Sequence, residues 1–178
     1  YSIVFAWTTI SLFFASTFLI LSLMRRFTGD DNFARIAALG YLLWPYLFGQ
    51  SLVNVKDAPF MCGWLLCTWL TLPLLDALAQ GRPIKRGPVI LLALAAGWLI
   101  SVRVAGVLVF VQYALLLFQA RKFPARPPGF VTLLRTLHVP LLLGVIAAFI
   151  FLAYPMLWSN PLRVFGAMYY MSHHPIGY

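Results

Sequence analysis

Charge is what this sequence has least of. Only 10% of its 178 residues are Asp, Glu, Lys or Arg, against roughly 25% in an ordinary soluble domain. With 62% hydrophobic residues and a mean hydropathy of +0.89, that shortage excludes a normal hydrated surface and points to lipid as the solvent. Acids are scarcer still, 4 against 13 Lys plus Arg, for a net charge of +9. In a soluble protein this excess would suggest nucleic acid. Here the basic residues fall in short breaks between apolar runs, where they report topology. Cysteine is limited to Cys62 and Cys67. They share no helix face and match no metal-ligand spacing, so both read as small core or lipid-facing residues. There is no basic leader with a cleavage site, no nucleotide-binding glycine loop and no internal repeat. The chain opens at Tyr1 inside an apolar run. The expectation is a fragment, truncated at both ends, of one polytopic domain over residues 1–178.

What is present is a series of apolar runs, each to be weighed against the roughly 20 residues a membrane crossing needs. The first is Ser2 to Met24, broken by "RRFTGDDNFAR", where Asp30 or Asp31 suits a helix cap. The second is Phe33 to about Gln50, with a kink expected at Pro45. The third is Pro59 to Leu78, with Pro59 placed for a first helical position, and "QGRPIKRG" follows as a hydrophilic turn. Pro88 to Ala120 makes about 50 Å of helix at ~1.5 Å per residue, too long for one crossing of about 30 Å. Arg103 and Gly106 in "SVRVAG" divide it into two short helices, Pro88 to Val102 and Ala105 to Ala120. The last run is Leu133 to about Trp158. The predicted fold class is therefore an all-α integral membrane bundle of six crossings with both ends on the outer face.

Charge supports that count. One side collects Arg25, Arg26 and Arg35, then Arg82, Lys85 and Arg86, then Arg121, Lys122, Arg126 and Arg135. Of the 13 basic residues only Lys56, Arg103 and Arg163 fall on the other side, as the positive-inside rule requires. Asp57 is then the one acid on the outer face, beside Lys56, Arg103, His173 and His174. Ionisable groups at membrane depth mark function, and an arginine there suits a phosphate through its bidentate fork. Plainer readings stand beside these. Asp57 caps the helix that starts near Pro59, with Lys56 neutralising it. Arg103 snorkels to headgroups. Arg163 anchors an aromatic interfacial segment, His173 and His174 are surface residues, and His138 is structural.

Three stretches carry a family resemblance. "NVKDAPF", following "WPYLFGQS", resembles the asparagine–proline–lysine–aspartate–x–proline–phenylalanine stretch of bacterial membrane glycosyltransferases. "LISVRVAGVLVF" resembles their short helix pair with a basic residue before a glycine. "YPMLWSNPLRVFGAMYYMSHHP" resembles the start of their later outer loop. The family is the protein O-mannosyltransferase and aminoarabinose transferase group, glycosyltransferase family 39, of GT-C fold. Val55 departs from it, standing where many relatives have proline.

The resemblance implies an enzyme of the bacterial inner membrane with its site on the periplasmic side. It would transfer a mannose-like or other sugar from a polyprenyl-phosphate donor to a hydroxyl of protein, lipid or glycan. Asp57 matches the family's second catalytic acid, and the first would precede Tyr1, so this stretch alone is expected to be inactive. Asn54, Lys56, Arg103, Arg163, His173 and His174 are the candidate contacts to the lipid phosphate and substrate. A divalent metal is possible within the family, with His173 or His174 as a ligand. The rival is a transporter or flippase. It lacks the repeat and the mid-helix polar residues that a translocation path uses. A purely structural membrane subunit would leave Lys56, Asp57 and Arg103 unexplained.

Overall fold

The computed structural model describes residues 3–53, 56–120 and 138–155, together with Trp158, Asn160 and Gly166. Leu, Ala and Phe dominate the runs, and the regular structure among the described residues is entirely helical. In chain order the helices are α1 (Ile3–Thr28), α2 (Asp31–Leu43), α3 (Pro45–Val53), α4 (Asp57–Ala79) and α5 (Arg86–Val102). A 3₁₀ segment (Val104–Leu108) leads into α6 (Val109–Ala120), and α7 is Val139–Ala153. Two stretches, Ala6–Thr28 and Asp57–Ala79, are long and apolar enough to cross a membrane, and Arg86–Val102, Val104–Leu115 and Val139–Ala153 are shorter apolar helices.

Helix boundaries have local causes. α1 runs on through Arg25 and Arg26, four residues past the expected end at Met24, and stops at Gly29, whose φ of +69° suits only a glycine-like conformation. Asp30 caps α2, its carboxylate accepting from the amides of Asn32 (2.8 Å) and Phe33 (3.2 Å). The second run is two helices rather than one kinked helix. Trp44 is extended, with ψ of 111°, as the residue before a proline prefers. α4 begins at Asp57, two residues before Pro59, so the proline is inside the first turn and not at its first position. Pro73 lies within α4, its ring exposed.

α1 and α2 run in opposite senses. Ser16 and Tyr41 hydroxyls lie 2.8 Å apart, and Phe13 stacks on Tyr41 at 5.3 Å, joining α1 to α2. The Trp69 indole donates to Ser22 Oγ at 2.9 Å, and Arg26 pairs with Asp76, so α1 and α4 run side by side in the same sense. Gln112 Nε2 donates to Thr68 Oγ1 at 2.8 Å, holding α6 against α4.

The core sits between α4 and α5 with α6 and α7 over it: Cys67, Leu70, Leu74, Val89, Leu92, Leu99, Val109 and Ile146 are buried together. Small residues on α5 (Ala93, Ala95, Ala96, Gly97) allow close helix approach. A Cβ at Gly97 would lie 2.9 Å from Phe149 Cβ of α7. Cys62 and Cys67 are free thiols, both buried. Outside, large apolar side chains face away from the chain, among them Trp7, Phe18, Ile36, Leu43 and Leu152.

Candidate functional site

The described charges divide between two ends. Arg25, Arg26 and Arg35 lie at the α1–α2 junction, and Arg82, Lys85 and Arg86 lie at the α4–α5 turn. Asp31 pairs with Arg25 at 2.9 Å and with Arg35 at 3.9 Å, and Arg26 with Asp76. The opposite end holds Lys56, Asp57 and Arg103.

That second group converges. Arg103 Nη1 is 2.6 Å from Asp57 Oδ1, across 46 residues of sequence (103 − 57). Each charge sits where its helix favours it. Asp57 is in the first turn of α4, at the positive end of the helix dipole. Arg103 is the C-cap of α5, at the negative end. The Arg103 guanidinium carbon also stands 5.9 Å from the centre of the Phe60 ring, within cation–π range. Lys56 is exposed next to the pair.

The turn that delivers Arg103 is built on close backbone contact. Arg103 is extended (φ −149°, ψ 137°), and its carbonyl accepts from the Gly106 amide at 2.8 Å. A Cβ at Gly106 would lie 2.8 Å from the backbone of Leu99 and Ile100, so a side chain there would push the reversal open. The second helix of the pair becomes regular only at Val109, after the 3₁₀ segment, and not at Ala105 as expected. Beside it, the Tyr154 hydroxyl donates to the Ser101 carbonyl at 2.7 Å, tying the end of α7 to the end of α5.

The structure thus brings Asp57 and Arg103 together with Lys56 adjacent. The plainer reading of Asp57 as the helix cap is not what is seen: Lys56 occupies the N-cap position, and its side chain makes no capping hydrogen bond. Asn54, Arg163, His173 and His174 lie outside the described residues, as do the basic residues of 121–135. His138 is at the opposite end, Nε2 3.2 Å from the Ile84 carbonyl, in the structural role expected of it. Phe60 and Tyr154 were not singled out from the sequence. Phe60 had a legible signal, since i, i+3 spacing puts it one turn above Asp57. Tyr154 had none beyond its place at the end of an apolar run.

Arg103 offers hydrogen-bond donors suited to an anion. Among the described residues no group of three His, Cys, Asp or Glu side chains is placed to hold a metal ion, and Asp57 Oδ1 faces a guanidinium. Arginine carries five N–H donors in a planar fork, and one edge engaged by Asp57 leaves donors for a phosphate. Compared with family models, with characterised proteins and with solved structures, the chain gives no match.

Proposed function

We propose that this chain belongs to an integral membrane glycosyltransferase of GT-C type, crossing the bilayer six times and using a polyprenyl-phosphate sugar at its outer face. The observation that carries the reading is the Asp57–Arg103 pair at the sparsely charged end of the bundle. The apolar exterior and the two membrane-length helices support the membrane assignment. The gathering of basic residues at the other end supports an orientation with that end in the cytoplasm.

In the proposed reaction the bond between the sugar's anomeric carbon and the lipid phosphate breaks, and the acceptor hydroxyl bonds to that carbon. The leaving phosphate gains negative charge. Arg103, with Lys56 beside it, stabilises that charge where it develops. Asp57 orients the guanidinium and takes the acceptor's proton, a contribution of about 10²–10⁴-fold for such a group. Arg163, His173 and His174 supply further substrate contacts, and no step is assigned to a metal.

The test is sugar transfer in proteoliposomes from a panel of polyprenyl-phosphate sugars, using the protein at its natural full length. Asp57→Asn and Arg103→Ala should each lower turnover by about 10²-fold or more while the protein remains folded. Unchanged transfer by both variants would reduce the pair to a structural contact and overturn the site. A wild type that moves lipid-linked sugars between leaflets without transferring them would favour a flippase.

A further inference from the structure

A second site lies at the other end of the bundle. There α4, α5, α6 and α7 enclose an apolar groove of about 230 Å³. Leu74, Val89, Leu92, Phe110 and Leu142 line it. Leu143 on its rim is 49% exposed, so the groove opens to the bundle's exterior. Its volume exceeds the ~150 Å³ of an engineered cavity that takes up benzene.

The groove's end meets uncompensated positive charge. Arg86 precedes Val89 by three residues on α5, so the two are neighbours on one helix face, and Lys85 is the residue before that helix. The His138–Ile84 contact joins α7 to the same turn. Lys85 and Arg86 are both exposed. The sequence has 4 acids in all, and each is committed elsewhere: Asp30 to the α2 cap, Asp31 to Arg25 and Arg35, Asp57 to Arg103, and Asp76 to Arg26. No carboxylate among the described residues pairs with Lys85 or Arg86, which leaves both exposed cations open to an anionic headgroup.

We infer that this groove binds an anionic phospholipid of the adjoining leaflet, one acyl chain between α5, α6 and α7 and the headgroup phosphate on Lys85 and Arg86. Basic pockets between membrane helices on the cytoplasmic side select such headgroups. The inference rests on the membrane reading above and not on glycosyl transfer.

The experiment measures lipid binding to the purified, delipidated protein by native mass spectrometry and by thermal shift. The probes are phosphatidylglycerol and phosphatidylcholine of the same chain length, with inorganic phosphate as a third. Phosphatidylglycerol should bind about 30-fold more tightly than phosphatidylcholine, roughly fivefold for each cation. Lys85→Gln with Arg86→Gln should abolish that preference and leave residual binding of either lipid. Leu143→Trp, a change at a half-exposed position of the lining, should fill the groove and weaken both lipids, with thermal unfolding of the lipid-free variant checking that it folds. Equal binding of the two lipids overturns the headgroup assignment. Lipid binding indifferent to Leu143→Trp overturns the groove, and stabilisation by inorganic phosphate alone overturns the lipid. Sugar transfer by the same preparation is a separate readout, so failure here and failure of the glycosyltransferase reading are distinguishable.

Discussion

Asp57 and Arg103 owe their pairing to geometry more than to energy. The side chains retain 27% and 43% of their exposure, and a pair that open contributes up to about 1 kcal/mol. Asp57→Asn and Arg103→Ala should therefore shift the unfolding midpoint by only a few degrees, checked by thermal unfolding in detergent. Gly106→Ala should cost more, about 1–3 kcal/mol, because its Cβ would fall 2.8 Å from backbone that has no rotamer to yield. The same variant should lower activity by moving Arg103. Asp57 and Arg103 were legible in the sequence because charge is so rare in it. The Phe60 contact and the pressure of Gly106 on Leu99 were not, since both depend on how tightly the chain reverses.

Among elements, α5 and α7 pack closely where Gly97 meets Phe149. Gly97→Ala would set a methyl 2.9 Å from Phe149 Cβ and should destabilise by about 1–3 kcal/mol. Phe149→Ala alone, at a half-buried position, should cost about 0.5–3 kcal/mol. The double variant should recover only part of the summed loss, because Phe149→Ala removes the Cγ and Cδ1 contacts at 3.0 and 3.1 Å but keeps the Cβ at 2.9 Å; a double-mutant cycle in thermal unfolding measures the difference. The apolar runs announced most of the helices, since length and composition suffice for that. Their ends were less legible. Pro45 promised a kink, yet extended Trp44 before it separates two helices. Pro59 suggested a start that the chain makes at Asp57. In both places a proline marks a region, and local backbone hydrogen bonds choose the residue.

At the scale of the whole molecule the asymmetry of charge gives a direct test of orientation. Cys62 and Cys67 are buried, so the native thiols should stay silent to an impermeant maleimide. Pro83→Cys, in the basic turn, should be labelled only after the membrane is opened from the cytoplasmic side. Val104→Cys, beside the Arg103 turn, should be labelled in intact cells. The reverse pattern would invert the bundle and place the Asp57 end inside. The sequence made this asymmetry readable because its breaks are short and basic. It could not show that the four Asp side chains are already engaged, since that requires partners from distant segments.

The unequal heights of the helices carry one more consequence. α4, with 23 residues, stands about 34 Å tall, whereas α5 with 17 and α7 with 15 reach about 25 and 22 Å. A hydrocarbon layer about 30 Å thick cannot match both walls. On the membrane reading proposed above, the bilayer beside α5 and α7 would thin, drawing headgroups and water down toward Arg103, and such hydrophobic mismatch costs only fractions of a kcal/mol per Å. A polar acceptor would then reach the Asp57–Arg103 pair through a dimple in the membrane that the short helices themselves impose.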